Sequence, residues 1–73
     1  MKVFVEGEDI IITEKEQYIV QSLADGKRTK EIAAEYQRSV RTLESMLDNL
    51  RKRFNCKTQA QLVATFLREG III

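Results

Sequence analysis

The sequence predicts an all-α domain of four helices, and three observations predict it. Two capping boxes, Thr13 with Glu16 and Thr58 with Gln61, each stand directly ahead of an apolar stripe at helical spacing. Between them, residues 29–54 hold two further stripes separated by the polar break Gln37-Arg38-Ser39. The chain has no proline and is 44% hydrophobic and 32% charged, the composition of a globular domain rich in helix formers. Seventy-three residues make one domain, and burial at this size barely balances chain entropy, so nearly every apolar helix face must share one core.

Residues 1–12 form a lead-in to the helical part, residues 13–73. Val3-Phe4-Val5 and Ile10-Ile11-Ile12 are short β-prone runs joined by Glu6-Gly7-Glu8-Asp9, which suits a small hairpin; a flexible lead-in is the other reading. A lone hairpin is marginal in water. It would persist by packing on the helices or by pairing with the terminal Ile71-Ile72-Ile73.

The first helix opens at the Thr13 box, carries Ile19, Val20, Leu23 and Ala24, and stops at Gly26. Its role is to brace the helices that follow. The second is about two turns long, with Ile32, Ala33 and Tyr36 as its stripe and Thr29 as its cap. Ser39 caps the third, where Leu43, Leu47, Leu50 and Phe54 run along one side and Arg41, Ser45, Asp48 and Lys52 along another. Helix, polar turn and longer helix together read as a helix-turn-helix. The fourth helix follows the Thr58 box, carries Leu62, Val63, Phe66 and Leu67, and ends near Gly70.

Charge is unevenly distributed along the chain. Residues 1–25 hold two lysines against six acids, whereas residues 38–57 hold six basic residues against two acids, so the net +1 conceals a basic third helix. Such a patch is the footprint of a nucleic-acid contact, although a cluster of Arg and Lys is more often a solvated face. An enzyme is not expected. There is no histidine and no glycine-rich phosphate loop, and the single cysteine, Cys56, suits a small buried apolar role, so neither a nucleophile-base pair nor a metal or cofactor site can be assembled. No apolar run approaches the roughly 20 residues that cross a bilayer, and acids occupy the place of a signal peptide's apolar core, which implies a cytoplasmic protein with no membrane partner.

Several of these features fit one family together. Ile12-Thr13 with Glu16, the Gly26-Lys27 stop, Lys30-Glu31-Ile32-Ala33, the run from Ser39 to Glu44, and Asn49-Leu50 with Arg53-Phe54 resemble the LuxR-type helix-turn-helix domain of bacterial transcription regulators, also called the GerE or FixJ/NarL type. The resemblance covers about residues 12–72. It implies a four-helix bundle that binds double-stranded DNA, with the third helix, about residues 40–54, in the major groove. It further implies a dimer contact through the fourth helix, where Leu62, Val63, Phe66 and Leu67 cover a wider arc than one face of a small core needs and so predict a weak homodimer. Members of the family usually serve as the output of a larger regulator, which leaves this chain either as such an output domain or as a stand-alone regulator, with RNA polymerase or a separate sensor protein as further partners.

By that resemblance the base-facing residues are Glu44, Ser45 and Asp48, and the phosphate contacts are Lys27, Thr29, Lys30, Arg41 and Lys52. The sequence departs from the family where a His or Tyr and basic neighbours are usual and Met46, Leu47 and Asp48 stand instead. Two acids on a groove-facing side oppose the electrostatic attraction that dominates DNA affinity. They have two readings: acceptors for cytosine N4, or ordinary pairs of Glu44 with Arg41 and of Asp48 with Arg51 or Lys52. A rival function uses the same fold as a protein-interaction module, with Glu44, Met46, Leu47 and Asp48 holding another regulator or a polymerase subunit. A relative of sigma-factor region 4 would still imply promoter DNA.

Overall fold

The computed structural model describes residues 1–73, in the order β1 (Lys2–Val5), β2 (Glu8–Ile11), α1 (Glu14–Ala24), α2 (Thr29–Glu35), α3 (Val40–Arg53) and α4 (Gln59–Arg68). The hairpin forms, with β1 antiparallel to β2 and Val3 opposite Ile10. Its turn is tighter than the expected four residues: Glu6 and Gly7 alone make it, at φ 50° and 82°, while Glu8 and Asp9 belong to β2. Positive φ at both central residues is the twist that suits a two-residue hairpin.

The hairpin persists by packing on the helices. Val5, Ile10 and Ile12 belong to the same buried cluster as Ile19, Val20, Ile32, Leu43, Leu50, Leu62 and Phe66, so residues 1–12 and the helices are one body. The terminal isoleucines do not extend the sheet, which has two strands. Ile71 and Ile72 turn into the core instead, and α1 holds that segment: Gln17 Nε2 donates to the Ile71 carbonyl at 2.7 Å and Gln21 Nε2 to that of Ile73 at 2.6 Å. Apolar side chains gain more from the core than from a third strand at the edge of a short sheet.

The helix starts follow from local chemistry. Thr13 Oγ1 accepts from Glu16 N at 3.1 Å and Glu16 Oε1 accepts from Thr13 N at 3.0 Å, a complete capping box. Ser39 Oγ accepts from Thr42 N at 3.1 Å, as expected. At α2 the cap lies one residue earlier than Thr29: Arg28 is the N-cap, and its N–H is satisfied by Glu31 Oε1 at 2.9 Å. At α4, Thr58 Oγ1 accepts from Gln61 N at 3.0 Å, but the Gln61 side chain reaches past Thr58 to Lys57 N at 2.8 Å, so the second box is only half formed.

All four helices end in the same way. The residue after each cap is left-handed (Gly26, Gln37, Asn55 and Gly70), and the following N–H reaches back to a carbonyl five residues earlier, as Arg38 does to Ala33 at 2.9 Å and Cys56 to Arg51 at 2.7 Å. This is the Schellman motif, in which two orphan carbonyls are satisfied at each helix end. Two expected core positions differ. Ala24 is exposed and Ser22 is buried, its hydroxyl donating to the Tyr18 carbonyl at 2.8 Å. Cys56 is half-buried, with Sγ within 3.5 Å of both the Phe54 carbonyl and Thr65 Oγ1.

One polar side chain ties the end of α3 to the N-terminal elements. The Arg53 guanidinium donates to the Ile11 carbonyl at 2.9 Å and forms a two-pronged ion pair with Glu16, joining the end of the third helix to β2 and to the start of α1. Burial pushes the Glu16 carboxyl up, but hydrogen bonds from Arg53 and Thr13 outweigh it and hold the group below its ordinary 4.5. No helix is long and apolar enough to cross a membrane.

Candidate nucleic-acid interface

The α3 side chains divide as their spacing predicts. Leu43, Leu47 and Leu50 are buried, with Phe54 just beyond the helix and its ring 4.9 Å from that of Phe66, while Arg41, Glu44, Ser45, Asn49 and Lys52 face outward. Val40, 37% exposed, lies on the outward side of the first turn. Asp48 and Met46 are half-buried, and Met46 packs against the core. The surface imagined for the rival interaction module is thereby reduced: Leu47 is 3% exposed and Met46 is turned inward, so two of its four residues are largely spent on the fold.

The two acids of α3 have different fates. Asp48 is clamped, with Arg51 Nη2 at 2.7 Å and Lys52 Nζ at 3.3 Å. The hydrogen bond and charge of Lys52, then those of Arg51, hold its carboxyl below the ordinary value, although the Arg51 contact is the shorter. Glu44 has no ion-pair partner within 4.0 Å, so of its two readings the pairing with Arg41 does not form. The helix thus presents one uncommitted carboxylate, Glu44, and one shared between two cations.

The cations divide likewise. Lys30 and Arg41 are exposed and have no carboxylate partner. Thr29 is half-buried in the first turn of α2. Lys52, with a side chain 78% exposed, is shared with Asp48. Lys27 is claimed by the protein: Nζ donates to Glu35 Oε1 at 2.8 Å and to Tyr18 Oη at 3.2 Å, and Tyr18 Oη in turn donates to Glu35 Oε2 at 2.6 Å. The hydrogen bond that Lys27 donates to Glu35, then that to Tyr18, raises the Lys27 ammonium well above the ordinary lysine range, and the same bond to Glu35 lowers that carboxyl. The Tyr18 ring also meets that of Tyr36 edge-on at 6.0 Å, which fastens α1 to α2.

Two exposed cations were missed in the sequence. Arg28 is the α2 cap, and Arg38 follows the left-handed Gln37 in the turn; neither has an acidic partner. Both flank positions already singled out, and position in the turn was the available signal. Together with Lys30 and Arg41 they make four uncommitted cations on and between α2 and α3.

Comparison with known proteins fits this geometry. The model of the family of bacterial regulatory proteins of luxR type, GerE, matches residues 11–66, from the end of β2 into α4. The chain belongs to the LuxR family. Over 60 residues it is 38% identical to the uncharacterized response regulatory protein YgeK of Escherichia coli strain K12, covering 82% of this chain and 41% of that relative. The chain therefore spans less than half the length of the curated relative it matches. No solved structure matches it. Domains of the LuxR family are DNA-binding regulators rather than enzymes, and the hairpin residues 1–10 precede the part that this chain shares with them.

The fourth helix presents less apolar surface than its sequence stripe suggested. Leu62 and Phe66 are fully buried in the chain's own core, so of the four residues assigned to a dimer contact only Leu67, 48% exposed, and the half-buried Val63 face outward.

Proposed function

We propose that this chain binds specific double-stranded DNA as the output of a transcription regulator, with the first half of α3 in the major groove. The observation that carries this reading is that the helix-turn-helix bears four exposed cations without an acidic partner, Arg28, Lys30, Arg38 and Arg41, together with the unpaired Glu44 and the exposed Ser45. Cations without internal partners are free to replace counterions along a phosphate backbone, the main source of DNA affinity. Glu44 and Ser45 then stand as base readers, Glu44 as an acceptor for cytosine N4. Asp48 is a weaker base reader because Arg51 and Lys52 already occupy its oxygens.

Lys30 and Arg41 are the principal phosphate contacts, with Lys27, Thr29 and Lys52 secondary. Lys27 has to leave Glu35, and Lys52 has to leave Asp48, before either can serve. A weak symmetric dimer on DNA would use Leu67 and Val63 of α4 and read two half-sites at a spacing set by the protein two-fold. The name of the relative, a response regulatory protein, fits a separate sensor upstream, and RNA polymerase is a natural contact of such an output. Selection of random duplexes on the purified chain tests the function: enrichment of one motif is expected, and binding without enrichment, or no binding at low salt, overturns it.

A further inference from the structure

The outer face of the hairpin carries a small self-complementary pattern. Residues directly opposite in an antiparallel pair share a face, and successive residues alternate. The register Val3 with Ile10 and Val5 with Glu8 therefore defines the inner face, where Val5 and Ile10 are buried, and Lys2 with Ile11 and Phe4 with Asp9 define the outer one. Those four outer residues form a rectangle, about 7 Å along the strands and about 5 Å across them. Phe4, 68% exposed, and Ile11, 66% exposed, lie on one diagonal, and the opposite charges Lys2 and Asp9 lie on the other. The DNA-binding reading rests on side chains of α2, α3 and the turn between them, and leaves this face unused.

We propose that this face docks on the same face of a second copy of the chain. Four two-fold axes lie in the plane of such a contact. An axis along or across the strands sets each charge against an apolar side chain. The axis along the charged diagonal sets Lys2 on the partner's Lys2 and Asp9 on the partner's Asp9. Only the axis along the apolar diagonal places Phe4 on Phe4 and Ile11 on Ile11 while setting each Lys2 against the partner's Asp9, twice over. Because the rectangle is longer along the strands, that arrangement crosses them at roughly 75°, near the orthogonal class of sheet-on-sheet packing. It is isologous, so it closes at two copies. Exposed paired apolar residues on a short sheet with free edges are otherwise a liability, and a charge at each remaining corner restricts which copy orientation is accepted.

The contact is small, so the pair is weak, with a dissociation constant of about 0.1 to 1 mM. Sedimentation equilibrium of the whole chain without DNA is expected to show it. Phe4→Asp should abolish the pair and Lys2→Asp should weaken it about tenfold, because two attractions become two repulsions. The double swap Lys2→Asp with Asp9→Lys should restore it to within about threefold. Leu67→Glu, in α4, should leave it unchanged. An isotope-filtered contact between the Phe4 rings of labelled and unlabelled parent chains reads the geometry without any variant. A chain that stays monomeric to about 1 mM, a dimer indifferent to Lys2→Asp, a folded double swap that fails to recover, or a dimer without the Phe4 contact would each overturn the proposal.

Discussion

The chain has two regions that treat charge in opposite ways. In the N-terminal third, residues 1–25, six acids face two lysines, and the best-placed acid, Glu16, is spent on structure: it completes the α1 capping box and takes the Arg53 fork. In the helix-turn-helix, cations outnumber acids, and Arg28, Lys30, Arg38 and Arg41 are spent on nothing within the chain. Charge committed to internal partners stabilises a fold, whereas charge left uncommitted is available to a ligand. Counting residues in blocks reveals only the sum, and partner geometry separates the two uses.

The largest way to break the contrast is to remove the structural acid. Glu16→Gln leaves Arg53 without its counter-ion and weakens the Thr13 box, at a cost of about 1–3 kcal/mol at pH 7 by urea unfolding. The carboxyl is held below 4.5 in the folded chain, so its contribution is present above that value and is lost as pH falls through the folded value. The gap between parent and variant should therefore close in acid.

The next change converts the acids of α3 into cations. Glu44→Lys with Asp48→Lys should raise affinity for random duplex on the order of tenfold at low salt and narrow the margin for the selected site. If the double variant binds random DNA no better than the parent, α3 does not face DNA, and the interaction-module reading gains. Smaller losses follow from single cations. Arg41→Ala should reduce the slope of log affinity against log salt by about 0.9 without changing the preferred site. Lys52→Ala should reduce it by less, because Lys52 is shared with Asp48. The smallest effect is a gain: Glu35→Gln frees Lys27 and should strengthen binding by at most about threefold, measured in the same salt titration.

Much of the fold was legible because its signals are local. Thr13, Ser39 and Thr58 lie within three residues of the N–H groups they cap, and the Leu43, Leu47, Leu50 stripe needs only helical spacing. What escaped was set by conformation or by distance along the chain. Gln37 and Asn55 close their helices in a left-handed conformation usually signalled by glycine, so the form of those stops was invisible. The fate of Ile71 and Ile72 depended on whether a core was open to them. In the site, the pairing of Asp48 with Arg51 and Lys52 was readable from one helical turn, but Tyr18 is 17 residues from Glu35, and no pattern announced that the two would take Lys27. The dimer stripe misled because Leu62 and Phe66 fit a core as well as they fit a partner.

The Arg53 fork makes the third helix a lever. Its 14 residues span about 21 Å, held at the C-terminal end by Glu16 and the Ile11 carbonyl and along one side by the buried Leu43, Leu47 and Leu50, while the side chains of Arg41 and Glu44 are exposed near its start. A change of tilt of about 5° at the grip moves the outer end by about 2 Å, enough to break a hydrogen bond to a base edge. Ile11 is also one corner of the outer hairpin face, so a partner seated there would bear on the carbonyl that holds Arg53 and, through it, on the tilt of α3.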